Sequence, residues 1–270
     1  MTPDDVAVDA DLERRFGGLR RLYGDAGYAR IRAARIGVVG LGGVGSWTVE
    51  ALARSGVAEL VLFDLDHVAE SNINRQVQAL GRTLGQAKTQ ALAERVADIH
   101  PGCRVTAVDD FVQPDNWPAL LPAPVDVLVD ACDQSSAKLA LAVWALATRT
   151  PLVCVGAAGG KRRAEAVAVE DLAETTHDPL LASLRQRLRK AGAVPRQGRM
   201  GVRCVFSREP VQQPLQDGCD VASAGAALAC AGYGSSVTVT ATFGLVAAGE
   251  AIEQVLSAAP GDSQIFQAIM

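Results

Sequence analysis

The chain runs to 270 residues, with 49% apolar side chains and a net charge of −4. The apolar share excludes long disorder, and the charge excludes nucleic-acid binding by bulk attraction over the whole surface. The length suits one large α/β domain with a full core, or a domain with a sizeable appendage.

In chain order, Met1 to Glu13 is acidic and lacks the basic-then-apolar pattern of a leader, so no secretory or transit peptide is expected. Residues 11–34 read as a charged helical arm. The apolar run Arg35-Ile-Gly-Val-Val-Gly40 is a buried strand ending in glycine, and Ser46 to Ser55 follows with helical periodicity. Glu59 to Phe63 is a second buried strand, ending at Asp64. A helix over 86–99, a strand from Cys103 to Val108 and a strand from Val125 to Val129 ending at Asp130 come next. A helix from Ala137 to Thr148 and a strand from Leu152 to Val155 complete the alternation. Strands alternating with helices predict a Rossmann-like, doubly wound, mostly parallel sheet.

After Gly160 the pattern changes. Residues 161–220 mix short strands, a basic helix and Pro/Gly-rich connections, and 237–257 is an apolar helix. The expected division is an arm over 1–34, a nucleotide-binding part over 35–160, and a smaller substrate-facing part over 161–270. Val221 to Gly249 carries no charged side chain and is long enough to span a bilayer. It is rich in Ala, Gly, Ser and Thr and is broken by Gly232-Tyr-Gly-Ser-Ser236, so a loop and then a buried helix are expected rather than a membrane span. Cys103, Cys132, Cys154, Cys204, Cys219 and Cys230 form no C-x-x-C pair. No zinc site is expected, and the thiols suit a reducing cytoplasm.

Gly40-Leu-Gly42-Gly43-Val-Gly45 satisfies G-x-G-x-x-G between a strand and a helix, where backbone N–H groups and the helix N-terminus receive phosphate. Asp64 stands at the end of the second strand, where an acid meets a ribose hydroxyl. The loop alone suits a nicotinamide dinucleotide. The next segment, Asp64-Leu-Asp66-His-Val-Ala-Glu-Ser-Asn72-Ile-Asn74-Arg75-Gln76, disfavours it, because Arg75 and then Lys88 put two cations near one phosphate chain. That arrangement suits a triphosphate being attacked at phosphorus. Asp133, in Val129-Asp130-Ala-Cys-Asp133, is a candidate Mg2+ ligand. The competing readings are surface salt bridges for Arg75 and Lys88 and a helix cap for Asp133. The candidate nucleotide contacts are Gly40, Gly42, Gly43, Gly45, Asp64, Asp66, Asn72, Asn74, Arg75, Gln76, Lys88, Asp130 and Asp133, with Arg75, Lys88 and Asp133 catalytic.

The succession G-x-G-G-x-G, D-x-D-x-V, N-x-N-R-Q, G-Q-x-K and D-x-x-D resembles the ThiF/MoeB/HesA enzymes, ATP-dependent adenylating relatives of ubiquitin-activating enzymes. Arg15-Phe-Gly-Gly18, Arg21-Leu-Tyr-Gly24, Val108-Asp-Asp-Phe-Val112, Gly156-Ala-Ala-Gly-Gly160 and Thr238-Val-Thr-Ala-Thr-Phe-Gly244 resemble its TcdA subgroup (CsdL/YgdL). The resemblance implies ATP-dependent cyclisation, with net loss of water, of threonylcarbamoyladenosine beside the anticodon of tRNA, through an acyl-adenylate of the threonyl carboxylate. By the same match Gly43 lies against the phosphates, Asp64 holds the ribose, Asn72, Arg75 and Lys88 address the phosphates, and Asp133 carries magnesium. A homodimer is implied as well, with an arginine from the N-terminal arm reaching across. The family position for that arginine falls on Gly18, leaving Arg15, Arg20 and Arg21 to supply it.

Ring closure inside one substrate needs no enzyme nucleophile. Cys230 is therefore read as a small buried residue in preference to a thioester former. Between Leu184 and Val205, Arg185, Arg187, Arg189, Lys190, Arg196, Arg199 and Arg203 occur with no acid among them. They are a candidate tRNA contact, or else one solvated basic face. Two other functions stand beside tRNA cyclisation: adenylation of the C-terminus of a ubiquitin-like sulfur-carrier protein, and a non-catalytic or nicotinamide-binding Rossmann module. A monovalent cation and a cysteine-desulfurase sulfur-relay partner are left open.

Overall fold

The computed structural model describes residues 11–213 and 233–258. Seven strands form one sheet: β1 (Arg35–Val39), β2 (Glu59–Phe63), β3 (Arg104–Val108), β4 (Val127–Asp130), β5 (Leu152–Val155), β6 (Val167–Asp171) and β7 (Arg203–Ser207). Their spatial order is β3-β2-β1-β4-β5-β7-β6. All neighbours pair in parallel except β6 with β7. The central strands are continuous apolar runs because helices cover both faces; every residue of β2 and of β4 is buried.

Alternation along each strand feeds two cores. Ile36 and Val38 point to one face, with Val49 and Leu52 of α3 (Gly45–Arg54), Leu92 of α4 (Lys88–Ile99) and Phe243 of α7 (Val237–Ser257). Val39 and Phe63 point to the other, with Leu141 of α5 (Ser135–Thr148) and Leu181, Leu184 and Leu188 of α6 (Pro179–Lys190). The residues after 160 thus complete the same sheet and supply one helix to each face. α7 is long and apolar enough to cross a membrane. Its side chains Val239, Phe243, Ala247 and Ala251, one per turn, are buried in the core. Residues 221–232, the first part of the uncharged stretch, lie outside the described residues, as do Cys219 and Cys230.

The arm differs from a single helix. It is α1 (Leu12–Phe16) and α2 (Gly18–Ala33), and α2 is broken at Gly24, whose φ of 71° only glycine adopts cheaply. Arg15 caps the end of α4, donating to the carbonyls of Asp98 and Ile99.

Strand order reverses between β1 and β4. β2 and β3 lie to one side of β1, whereas β4, β5 and β7 lie to the other. Open α/β sheets bind ligands in the crevice outside the carboxyl ends of the strands at such a switch point. The Gly40 loop follows β1, and Ala131 to Asp133 follow β4, so the topology places the two segments side by side. Ala131 N donates to Val39 O at 2.9 Å.

Candidate active site

A cavity of about 300 Å³ opens at this switch point. Gly40, Gly42 and Gly43 form its floor, with Asp64, Asp66, Asn72, Arg75, Gln76, Lys88 and Asp133 around it. Gly40 has φ +84°, and a Cβ there would stand 2.9 Å from the Cys132 backbone. The loop therefore packs directly on the segment after β4. Gly43 lies between Arg75 and Thr240, each within about 3.3 Å of where its Cβ would be. Gly45 does not line the cavity. A side chain on it would run into the Gly40 carbonyl, so it serves the tight turn into α3.

Asp64 ends β2 with its carboxylate turned back to the loop. Oδ2 accepts from Leu41 N at 2.6 Å and Oδ1 from Asp66 N at 2.9 Å. Each oxygen keeps acceptor capacity for a ligand hydroxyl. Burial raises the Asp64 pKa, opposed by the charge of Lys88 and by the two amides. Lys88 is the first residue of α4, and its N–H donates to Asp66 O at 3.0 Å, which pins the helix N-terminus beside the cavity. Its ammonium donates to Asp66 Oδ2 at 2.7 Å and stands 3.6 Å from Asp64 Oδ1. Lys88 is thus a buried cation paired inside the site rather than a surface ion pair.

Arg75 arrives on a short turn over Glu70–Asn72. Asn72 Oδ1 accepts from Ala69 N at 3.0 Å, and Trp47 Nε1 of α3 donates to Arg75 O at 3.0 Å. The Arg75 guanidinium donates to Ser71 O at 2.7 Å and Asn74 Oδ1 at 2.9 Å, both neutral acceptors. No carboxylate pairs with it among the described residues. A charged group held by neutral partners at the edge of a glycine loop remains available to an anion. Gln76 is buried beneath the loop, its Oε1 accepting from Gln78 Nε2, which also donates to Leu41 O. Asn74 lies outside the cavity and ties this turn to Ser235 O at 3.1 Å.

The acids after β4 separate. Asp130 is fully buried below the cavity, its Oδ2 accepting from Lys138 Nζ at 2.8 Å and its Oδ1 from Cys132 N at 3.2 Å. Burial works against the Lys138 charge, but Asp130 and the neighbouring thiols outweigh it and raise the Lys138 pKa. Asp133 is exposed at the mouth. The cap of α5 is Gln134, so Asp133 does not cap that helix. Among the described residues no three of His, Cys, Asp and Glu cluster as a metal site, and Asp133 makes no ion pair. One carboxylate without an ion pair at the mouth of this cavity fits Mg2+, which commonly takes one or two carboxylates and completes its shell with phosphate oxygens and water.

The motif reading did not assign several lining residues to the site. Asp110, Phe111 and Val112 follow β3, Ala157 and Ala158 follow β5, Leu180 begins α6 and Thr240 belongs to α7. The signal available was the strand-end position of 110–112 and 156–158, since the residues just after parallel strands form the crevice. Thr240 lies in the subgroup run over 238–244, which carried no site role, and nothing local marked Leu180.

The basic strip is not one surface. Arg185 donates to the carbonyls of Leu172 and Thr175, Arg187 to Ser135 O at 2.7 Å, and Arg203 makes a two-pronged pair with Glu250. Arg189, Lys190, Arg196 and Arg199 are exposed. Of the N-terminal arginines, Arg15 caps α4 and Arg20 pairs with Glu13 and Asp25, while Arg21 is exposed with no ion pair among the described residues.

Residues 15–267 match the ThiF family. The tRNA threonylcarbamoyladenosine dehydratase of Escherichia coli (strain K12) is 42% identical over 94% of this chain and 98% of its own length. The Haemophilus influenzae protein of the same name is 41% identical over 91% and 95%. The E. coli enzyme solved in complex with ATP superposes with a TM-score of 0.82 at 42% identity, covering 93% of this chain and 97% of that one.

Proposed function

The chain belongs to the ThiF family, and on that footing we propose that it is an ATP-dependent tRNA threonylcarbamoyladenosine dehydratase. The observation that carries this reading is the near full-length similarity to enzymes of that name, 42% over 94% of the chain. It is supported by a cavity that gathers a glycine loop, a ribose-type acid and two cations.

The threonyl carboxylate is a poor electrophile because its oxygen leaves badly. Its attack on the α-phosphate of ATP forms an acyl-adenylate and expels pyrophosphate. The neighbouring carbamoyl group then attacks the acyl carbon, AMP leaves and a proton is lost, closing a five-membered ring with net removal of water. Placement of both groups on one molecule supplies the high effective concentration. In this reading the backbone of Gly40–Gly43 receives the phosphates and Asp64 accepts from a ribose hydroxyl. Lys88 exchanges Asp66 for a phosphate oxygen, and Arg75 stabilises charge developing at the attacked phosphorus. A magnesium ion held at Asp133 would neutralise phosphate charge.

Arg189, Lys190, Arg196 and Arg199 are the cations left to meet tRNA. Leu180 borders the cavity and Arg189 lies nine residues along α6, about 14 Å away along the helix axis, which supports a contact between the far end of this helix and the tRNA. In a homodimer, Arg21 is, of Arg15, Arg20 and Arg21, the one free to reach the partner's site. The setting is the cytoplasm, where tRNA is modified.

The test is nucleoside mass spectrometry of tRNA incubated with the protein and ATP. Loss of one water from threonylcarbamoyladenosine, with AMP and pyrophosphate released, is expected. An unchanged nucleoside, with pyrophosphate exchange supported only by a ubiquitin-like carrier protein, would overturn the reading.

A further inference from the structure

A second cavity, of about 670 Å³, meets the nucleotide cavity at Arg75. Ser71, Ile73 and Asn74 form one wall with Glu70, and Gly234 and Ser235 form the other. The walls are held together by the bond from Asn74 Nδ2 to Ser235 O at 3.1 Å. Arg75 is the residue common to both cavities, and its guanidinium is fixed by Ser71 O and Asn74 Oδ1, both belonging to the second cavity's wall. The two acceptors orient the charge without neutralising it.

A reaction between two anions needs a cation at their meeting point, because bringing a carboxylate to a phosphate is otherwise opposed by like charge. Only one of the two cavities has the glycine floor for phosphates. From the other side, Arg75 is approached past hydroxyl and amide groups, past the one carboxylate of Glu70, and past Ile73, an apolar side chain 47% exposed. Exposed apolar side chains are the surfaces against which extruded bases stack. The volume is that of a small-molecule site.

We infer that this second cavity is the acyl-substrate subsite: it receives a nucleoside bearing an aliphatic carboxylate, the base against Ile73 and the carboxylate on Arg75, opposite the phosphate chain. The inference rests on the dehydratase reading above. It makes Arg75 a two-sided residue, touching phosphate in one cavity and carboxylate in the other. Glu70, which makes no ion pair with Arg75, is an acceptor for the nucleoside's hydroxyl or N–H groups.

The test fills the second cavity and leaves the first open. Ser71 and Ser235 contribute only their backbone carbonyls to the bonds described, so Ser71→Trp and Ser235→Trp add bulk without removing a hydrogen bond. In the full-length protein, each variant is expected to bind ATP within about twofold of wild type in calorimetry while its KM for threonylcarbamoyl-modified tRNA rises by about tenfold or more. Retained ATP binding shows that the variants are folded. An unchanged KM in both variants overturns the subsite, and so does loss of ATP affinity in both, which would make the second cavity part of the nucleotide site. Failure of the wild-type protein to dehydrate the nucleoside overturns the dehydratase reading, and the subsite with it.

Discussion

Lys138 and Lys88 each meet an aspartate at or just past the carboxyl end of a strand, Asp130 at 2.8 Å and Asp66 at 2.7 Å. The chemistry of the two pairs is the same and their access to solvent is not. Lys138 and Asp130 are both fully buried, and the ammonium also donates to Val155 O at 3.0 Å. Lys88 is buried, but its partner Asp66 is 55% exposed, and the pair lies on the cavity wall. A closed pair has no other anion to exchange with, so it can only hold structure. In this case it holds the Cys132 amide, and through it the segment that packs on Gly40. An open pair leaves its cation able to exchange partners, which is the role proposed for Lys88. Access, rather than residue type, separates scaffold from site.

The closed pair gives the largest effect. Lys138→Met leaves the Asp130 carboxylate buried and uncompensated, and is expected to lower stability by about 3–5 kcal/mol in denaturant titration. Adding Asp130→Asn removes the stranded charge and recovers part of the loss. If the single variant were as stable as wild type, the closed pair would not be structural.

At the open pair the effect moves from stability to turnover. Lys88→Ala is expected to cost about 1–3 kcal/mol of stability, less than the closed pair, because Asp66 recovers water while buried Asp64 loses its neighbouring charge. Dehydration of the modified nucleoside falls by about 10²–10³ in kcat. A variant that lost stability and kept its turnover would reverse the two assignments.

The smallest effect extends the contrast to the basic strip. Arg189→Glu with Arg199→Glu changes only exposed cations, so the thermal midpoint is expected to stay put. The salt slope of tRNA binding becomes shallower by about 2 in a filter-binding titration. Arg185→Glu, whose guanidinium is tied to Leu172 and Thr175, lowers the midpoint instead.

Much of the fold was legible because the strands are short, buried on both faces and bounded by breakers. Glu59–Phe63, Leu152–Val155 and the helix over Val237–Ser257 fall where periodicity places them. The break of the arm at Gly24 was not legible, since an isolated glycine in a charged helix reads as a tolerated one. In the site, Gly40, Gly42, Gly43, Asp64, Asp66, Asn72, Arg75, Gln76, Lys88 and Asp133 line the cavity as a group. Their spacing from strand ends carries that information. Gly45, Asn74 and Asp130 belong to the same motifs and lie elsewhere, in a turn, a tie and a closed ion pair.

By itself, then, the sequence determined the alternation of strands and helices, the glycine loop and the kind of charge around it, because those depend on local spacing and on the rule that ligands sit beyond parallel strands. Only the tertiary structure decided which charges are free. It tied Arg185, Arg187 and Arg203 to carbonyls and to Glu250, closed Asp130 onto Lys138, and brought Thr240 and Leu180 to the cavity from distant helices. The physical reason is that a side chain's charge is written in the sequence, whereas its partners and its contact with water are set by packing between segments far apart in the chain.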